Sequence, residues 1–299
     1  MDFDFSDDQQ QLRDAVARWV DKGYTFERRQ SIVKQGGFSR EVWNELAELG
    51  LTALTVPESY GGLGLGAVDV MVVMEELGRG LVMEPLAQAF VASAVLSQFC
   101  DAKATKSGDG YTVDATKNIV LAGDQADAFI VPAQLDGKIA LFLVENGSQG
   151  VSAKPYATQD EARAADVSCK SAAATLITTN GLTALSLAQD VANAALCAEG
   201  VGVMEQTLKL TTEYMNQRKQ FGVAIASFQA LRHRVSDMKM QLELARSMSY
   251  YATLKLGADE AERRQALSRA KVQLGQSLRF VGQQGVQLHG GIGVTDEYA

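Results

Sequence analysis

The sequence is poor in the residues that form disulfides and metal sites. Its 299 residues include three cysteines, Cys100, Cys169 and Cys197, and two histidines, His233 and His289. An odd number of widely spaced cysteines predicts neither a disulfide framework nor a zinc site, and it is typical of a reducing compartment. Because the two histidines lie far apart in sequence and have no cysteine partners, we predict no bound metal.

Excess positive charge and long apolar runs are also missing. The net charge of −8 argues against a nucleic-acid surface, which requires a basic face. The sequence contains no run of about 18 apolar residues, so it predicts no membrane span. The N-terminal MDFDFSDDQQQLRDAV has no apolar core of the kind that signal peptides contain. We therefore expect a cytoplasmic protein whose partners are neither nucleic acid nor a membrane.

The first hundred residues have the apolar period of helices. Ser6 is the expected N-cap of the first helix, since two acidic residues and then an apolar face follow it. A second helix is expected between an N-cap at Ser39 and a stop at Gly50, with Leu49 on its inward face. A glycine-rich loop, a buried helix over AVDVMVVMEELGRG and another over PLAQAFVASAVLSQF complete this part.

From about residue 106 the apolar period changes to that of strands. Short β-rich runs, separated by Gly, Asp and Asn turns, cover residues 118–122, 128–133, 139–144 and 151–156. SAAATLITTNGL continues this unit, and long amphipathic helices are then expected over residues 184–217, 226–256 and 259–288. Segregated blocks of helix, sheet and helix predict an α+β protein. Its expected domains are an N-terminal helical domain (1–105), a small antiparallel β domain (106–183) and a C-terminal helical domain (184–299).

One connection between predicted helices has an unusual composition. QRKQFGVAIASFQ, residues 217–229, places two cations, an aromatic residue and a glycine directly before the second long helix. A guanidinium offers a fork of donors for phosphate oxygens, an aromatic ring packs on a flat ligand, and glycine allows close approach of the backbone. Taken alone, the cluster predicts either an ordinary solvated turn or a site for a flat anionic ligand.

Five motifs occur in order along the chain: PESYGGLG (57–64), MEELGRG (74–80), GDQADAFIVPA with LFLVE (123–145), RKQFGVAIASFQALRHRVSDM (218–238) and QLHGGIGVTDEY (287–298). In them the sequence resembles the acyl-CoA dehydrogenases, flavoproteins with an N-terminal helical domain, a middle β domain and a C-terminal four-helix domain. The N-terminal stretch, PYATQDEARAADV and GGIGVTDEY further resemble the small subunits of pimeloyl-CoA dehydrogenase-type enzymes. The resemblance covers nearly the whole chain and implies this fold and an FAD cofactor.

The resemblance also implies the residues of the FAD site. In the family the Arg-x-x-Phe-Gly turn of one subunit reaches the pyrophosphate and adenine end of FAD bound by its neighbour. The corresponding residues here are Arg218 and Phe221, with further contacts at Phe228, Gln229, Gln287, Gly290 and Gly291. Because the resemblance extends along the whole chain, a cofactor site is favoured over a solvated turn at 217–229.

The implied reaction removes a proton from the α-carbon of a CoA thioester and a hydride from its β-carbon. It requires a carboxylate base of raised pKa and hydrogen bonds to the thioester oxygen. Counting back from Arg218 places one of the family's two base positions at Ala192, which has no proton acceptor. The other position falls beyond Ala299, so the sequence identifies no catalytic base.

Two further departures from the family concern ligand binding. Between Cys100 and Gly110 only DAKATKSGD stands where the family has a long segment that holds the flavin ring. Either pieces are missing from the chain, which we favour because the flanking motifs are intact, or this is a reduced subunit that cannot hold flavin alone. Asp190 occupies a position that contacts acyl-CoA in the family, and Asn193 replaces the usual arginine, which weakens the inference of CoA binding.

Three functions remain open from the sequence. The first is an FAD-dependent acyl-CoA dehydrogenase that desaturates an acyl-CoA at the α,β position and passes electrons to an electron-transfer flavoprotein. The second, favoured by the alanine at position 192, is a non-catalytic small subunit that completes the FAD site of a larger partner. The third is a flavin-free helical interaction protein, against which the intact cluster around Arg218 argues.

The last expectation concerns assembly. The second long helix and the turn before it carry more apolar residues than one small bundle can bury: Ile225, Leu231, Val235, Met238 and Leu242. We therefore expect an exposed apolar face and a homo- or hetero-oligomer, and the resemblance implies a tetramer.

Overall fold

The structure, a computed structural model, describes residues 5–99 and 110–295. Its helices are α1 (Asp7–Gly23), α2 (Phe26–Lys34), α3 (Arg40–Glu48), α4 (Ala67–Arg79), α5 (Leu86–Phe99), α6 (Gly181–Gln217), α7 (Gln229–Lys255) and α8 (Glu260–His289). Its strands are β1 (Tyr111–Leu121), β2 (Ala128–Leu135), β3 (Lys138–Glu145), β4 (Val151–Ala157), β5 (Arg163–Thr178), β6 (Lys219–Gln220) and β7 (Val223–Ala224). Short 3₁₀ turns cover Leu51–Ala53, Glu58–Tyr60, Ile225–Ser227 and Gly290–Val294. No helix in the described part of the chain is long and apolar enough to cross a membrane.

The chain divides into two compact units, each assembled from several stretches of sequence. The first unit comprises Met1–Phe26, Gly66–Val82 and Asn193–Ala299, and the second comprises Glu27–Leu65 and Met83–Ala192. The linear division at residues 105 and 183 stays a prediction. Helical regions at both ends and an antiparallel sheet between them agree with the predicted α+β class.

The second unit contains a five-stranded antiparallel sheet in the order β1-β5-β3-β2, with β4 also paired to β5. Strand β5 is 16 residues long, so it can pair with β4 along its first half, with β1 from Ala164 to Ala174 and with β3 near its end. The sheet core is formed by alternate residues such as Val131, Phe142 and Val167. Strand β1 begins at Tyr111, seven residues before the predicted run, and two register shifts interrupt its pairing with β5.

The first unit is helical and contains α1, α4, most of α6, α7 and α8. Its core includes Val201 and Met204 from α6, Met238 and Leu242 from α7, and Leu267 from α8. The predicted exposure of the apolar face of α7 is therefore wrong. Met238 and Leu242 are buried in the same chain, and the other predicted residues pack partly against this core, namely Ile225, Leu231 and Val235.

The ends of the N-terminal helices follow their capping residues. The hydroxyl of Ser6 accepts from the backbone N–H of Gln9, whose side chain accepts in return from the N–H of Ser6, which completes a capping box. Ser39 caps α3 by accepting from the N–H of Val42. The inward placement predicted for Leu49 is wrong, because α3 ends at Glu48 and Leu49 is 39% exposed at its C-cap.

A buried ionic cluster joins α1, α4 and α7 within the first unit. Glu75 of α4 accepts from Arg13 of α1 at 2.5 Å and from Arg246 of α7 at 3.2 Å. Glu76 accepts from Arg13 at 3.1 Å and from Arg79 at 2.8 Å. Burial raises the pKa of Glu75 from 4.5 to about 7, although both arginines lower it and nearby Glu205 and Glu76 raise it.

Helices α4 and α6 approach each other closely beside this cluster. A Cβ atom added at Gly202 would lie 1.9 Å from the carbonyl oxygen of Glu75, and one at Gly78 would lie 2.1 Å from that of Glu199. No side chain fits at either distance. The two glycines therefore allow the backbones to come together, and every residue from Met71 to Gly78 is buried.

Candidate functional site

A two-stranded hairpin follows Arg218 at the end of α6 and carries the predicted aromatic residue, Phe221, in its turn. Lys219 pairs with Ala224 and Gln220 with Val223, and the turn between them consists of Phe221 and Gly222. Both turn residues have positive φ, 54° and 80°, as a two-residue hairpin turn of the primed type requires. A glycine adopts this conformation at no steric cost, whereas it is strained for phenylalanine.

The aromatic rings of this segment face solvent. Phe221 is 91% exposed, and its ring meets the edge of the Phe228 ring at 6.1 Å between centroids and 85° between planes. Phe228 is itself 36% exposed. A large apolar side chain that is both strained and exposed contributes little to the stability of the isolated chain. Such outliers concentrate at ligand sites, so the geometry supports binding of a flat ligand here.

Arg218 stands at the junction of α6 and the hairpin. Its N–H donates to the carbonyl of Tyr214 at 2.8 Å, and its own carbonyl accepts from the N–H of Ile225 at 2.9 Å. These two bonds fix the backbone of Arg218, while its side chain is exposed. Its guanidinium is therefore available for an oxyanion on a backbone that is held in place.

The start of α7 adds partial positive charge to the same segment. Phe228 is the N-cap residue of this 27-residue helix, and Gln229 is its first residue, exposed to solvent. The first N–H groups of a helix point outward, and the helix dipole is positive there, which favours an anion. Arg218, Phe221, Phe228 and Gln229 are thus brought into one stretch of surface by a hairpin and a 3₁₀ turn.

The second predicted group lies at the C-terminal end of α8. Gln287 is exposed on the last turn, and Gly290 ends the helix with a φ of 68°. Gly290 and Gly291 both have open space where a Cβ would stand. Backbone groups at this end are therefore accessible to a ligand.

A pair of rings that sequence reasoning did not identify connects the two groups. His289 is buried, its Nδ1 lies 2.8 Å from the carbonyl oxygen of Gly285, and its ring stacks on Tyr214 at 4.6 Å. Tyr214 in turn accepts the N–H of Arg218. The stack therefore places the end of α8 beside the end of α6.

Two open clefts adjoin these segments. One, of about 260 Å³, includes Thr207, Gly285, His289, Ile292 and Thr295 in its lining. The other, of about 410 Å³, includes Thr212, Asn216, Ala226, Arg232 and Ser236. Both have polar and apolar walls and open to solvent, as expected beside a ligand that lies on the surface.

The predicted substrate residues lie elsewhere on α6. Asp190 is buried, at 3% exposure, and Asn193 is half-buried. At 1.5 Å per residue, Asn193 stands about 36 Å along the helix axis from Gln217. The chain does not bring Asn193 to the Arg218 group, and the assignment of both residues to the substrate stays a prediction.

Glu75 is the described carboxylate whose pKa is suited to a general base, at about 7. It is 2% exposed and bound to two arginines, and neither cleft includes it in its lining. We therefore assign Glu75 a structural role. Within the described ranges no group of three or more His, Cys, Asp or Glu side chains could hold a metal ion.

Comparison with known proteins identifies the class. Residues 6–105 match the family described as "Acyl-CoA dehydrogenase, N-terminal domain", and residues 179–299 match "Acyl-CoA dehydrogenase, C-terminal domain". The chain belongs to the acyl-CoA dehydrogenase family. Members of this family are oxidoreductases that act on CH–CH bonds.

Three relatives illustrate the match. "Acyl-CoA dehydrogenase IpdE2" of Mycobacterium tuberculosis is 32% identical over 300 residues, which cover 98% of this chain and 88% of that protein. The crystal structure of the ChsE4-ChsE5 complex from Mycobacterium tuberculosis superposes with a TM-score of 0.89 at 27% identity, over 99% of this chain and 90% of that one. The "Tcur3481-Tcur3483 steroid ACAD G363A variant" gives 0.88 at 25% identity, over 97% and 89%. These superpositions confirm the predicted fold.

The alignment with IpdE2 also bears on the short connection after Cys100. It spans 300 positions and includes 98% of this 299-residue chain, so it leaves room for only a few inserted residues. Across the aligned region this relative therefore exceeds the chain by only a few residues. Residues 100–109, where the sequence suggested missing pieces, lie outside the described residues.

Proposed function

We propose that this protein is a subunit of an FAD-dependent acyl-CoA dehydrogenase that introduces an α,β double bond into a CoA thioester. The observation that carries the proposal is the hairpin at the end of α6, where a strained and 91% exposed Phe221 stands beside the exposed Arg218. Stability alone gives no reason to expose such a ring. A cofactor shared between subunits gives one, because it would cover the ring.

The residues present fit the pyrophosphate and adenine half of FAD. Arg218 supplies a fork of charged donors and the start of α7 supplies N–H groups, and both suit a diphosphate. The exposed rings of Phe221 and Phe228 suit a flat heterocycle. Gly290 and Gly291 leave space for backbone contact. FAD, when bound, would accept the hydride from the β-carbon of the substrate, and the residues of this chain bind and orient it.

A second candidate is a subunit that completes the cofactor site but does not itself abstract the α-proton. The specific observation that favours it is Ala192, which occupies a base position of the family and has no proton acceptor. The names of two structural neighbours, the ChsE4-ChsE5 complex and Tcur3481-Tcur3483, each contain two components. On this proposal the chain joins a partner subunit that supplies the base, in a hetero-tetramer whose electrons pass to an electron-transfer flavoprotein.

Substitution of Arg218 tests the proposal. A charge-assisted contact to phosphate contributes roughly 1.5–3 kcal/mol, so Arg218→Ala should weaken FAD binding about ten- to a hundredfold. Arg218→Lys should recover only part of the loss, because an ammonium cannot reproduce the fork of donors. Fluorescence titration of the apo-protein or its complex with FAD measures the dissociation constants.

The matched control is Arg269→Ala, which removes an exposed cation of α8 outside the site. Its dissociation constant should equal that of the parent. Equal constants for the parent and both Arg218 variants would refute the cofactor role of this residue. Thermal melting within a degree or two of the parent would show that the loss of binding does not come from unfolding.

A further inference from the structure

The hairpin that presents Arg218 and Phe221 is too small to hold its own geometry. It has two ladder pairs, Lys219 with Ala224 and Gln220 with Val223, and an isolated hairpin even of larger size is marginal in water. The strained φ of Phe221 adds to the cost of forming it. Something outside the ladder must hold the hairpin in the described position.

Part of the support comes from the backbone and a short-range side chain. The N–H of Ile225 donates to the carbonyl of Arg218 at 2.9 Å, and the hydroxyl of Ser227 donates to the carbonyl of Ala224 at 2.7 Å. Ile225 and Ala226 pack against the helical core but are only partly buried. The cleft of about 410 Å³ borders the turn at Ala226, so close packing does not fix the turn on that side.

Arg232, the fourth residue of α7, reaches back to this turn. Its Nε–H donates to the carbonyl of Ala226 at 2.6 Å, across six residues of sequence. Its side chain also lines the cleft together with Thr212 and Asn216 of α6. A guanidinium bonded to a neutral carbonyl is a charge-assisted contact, and such hydrogen bonds are roughly twice as strong as those between neutral groups.

We propose that Arg232 is a positioning residue for the cofactor site, because its bond to Ala226 fixes the turn and thereby the hairpin that presents Arg218 and Phe221. The inference rests on the proposed function for the identity of the ligand. Arg232 acts through the backbone of the hairpin.

The chain offers a matched control two residues further on. Arg234 is also exposed on the first turns of α7, and its guanidinium donates to the side chain of Gln284 in α8 at 2.8 Å. Arg234 has the same charge as Arg232 and lies on the same helix, but its guanidinium donates to a side chain of α8 and not to the turn at Ala226. Loss of Arg234 should therefore leave the hairpin unchanged.

The test compares Arg232→Met, Arg232→Lys and Arg234→Met in the full-length protein, with two measurements. Hydrogen exchange of the backbone amides of residues 219–228 reports the order of the hairpin, and FAD titration reports its competence to bind. If the hairpin is correctly placed only a tenth to a third of the time without the bond to Ala226, the dissociation constant rises about three- to tenfold. Both Arg232 variants should show this rise and faster exchange confined to the hairpin, and Arg234→Met should match the parent.

The outcomes separate this inference from the proposed function. A parent that binds FAD, with exchange and affinity unchanged in Arg232→Met, would overturn the inference alone. Full recovery of affinity in Arg232→Lys would show that charge and not position matters, which also overturns it. A parent that binds no FAD, either alone or with its partner subunit, would overturn the proposed function and, with it, the cofactor role of Arg232.

Discussion

Replacement of Arg246 by alanine should destabilise the protein by an amount that depends on pH. Arg246 donates to the buried Glu75 at 3.2 Å and is itself only 18% exposed at its side chain. Removing one partner of a buried ion pair leaves an uncompensated charge, which costs about 3–5 kcal/mol. Because Arg13 still bonds Glu75 at 2.5 Å, we expect a cost of about 3 kcal/mol at pH 8, the low end of that range.

The pH dependence follows from the pKa of Glu75, which burial raises to about 7 from 4.5. Since the folded pKa lies above the unfolded one, the contribution of this carboxyl to stability is fully present below pH 4.5. It is lost as the pH rises through about 7. At pH 5 Glu75 is protonated, no buried charge is left behind, and Arg246→Ala should cost about 1.5 kcal/mol. The loss of Arg246 also raises the pKa of Glu75 further, since the guanidinium lowers it.

Urea unfolding at pH 5 and pH 8 measures both costs. The control is Lys239→Ala, which removes a surface pair with Glu243 whose side chains are 58% and 48% exposed. It should cost less than about 0.5 kcal/mol at either pH. An equal cost of Arg246→Ala at the two values of pH, or a larger cost at pH 5, would contradict the assignment of Glu75 as a buried group that titrates near 7.

Two further predictions concern the helical unit. Gly202→Ala should destabilise the protein by more than about 2 kcal/mol in urea unfolding, because its Cβ would lie 1.9 Å from the carbonyl oxygen of Glu75. The control is Gly275→Ala in α8, where a Cβ would meet open space, and it should stabilise the protein by about 0.5–1 kcal/mol. Equal changes in stability for the two variants would refute the close approach of α4 and α6 at Gly202. Cys197 is buried, and desolvation raises the pKa of its thiol to about 11, so it should resist iodoacetamide in the folded protein. Mass spectrometry measures the modification, and rapid alkylation of Cys197 in the folded protein would contradict this prediction.

The sequence correctly predicted those elements whose ends and faces are determined by residues close together in the chain. Ser6 and Ser39 cap helices where the sequence indicated, because an N-cap is decided by a side chain and the N–H groups two or three residues away. The long helices α6, α7 and α8 lie within a few residues of their predicted ranges, since each has a sustained apolar period.

Long-range contacts account for the errors and omissions. The first half of β5, RAADVSCK, contains two alanines, an aspartate and a lysine, so its strand propensity is weak and its pairing with β1 and β4 decides its conformation. The apolar face of α7 was expected to be exposed because it carries more apolar residues than one small bundle was thought to bury. Residues of α6 and α8 in the same chain form the core in which Met238 and Leu242 are buried, and no periodicity in one segment reveals that packing.

For the candidate site too, the residues could be predicted from the sequence, whereas the contacts that hold them in place could not. The residue types at 217–229 predicted either a solvated turn or a site for a flat anionic ligand, and the structure groups Arg218, Phe221, Phe228 and Gln229 on one stretch of surface. The stack of Tyr214 on His289 joins residues 75 positions apart, and the bond from Arg232 to Ala226 depends on one rotamer. Neither contact has a sequence signature, so both could be found only in the structure.

The visible absorption spectrum of the purified protein, alone and after assembly with its partner subunit, shows whether the protein holds FAD. We predict flavin absorption bands that stay with the protein through gel filtration and that weaken in Arg218→Ala. A colourless protein that takes up no added FAD, either alone or with its partner, would contradict it.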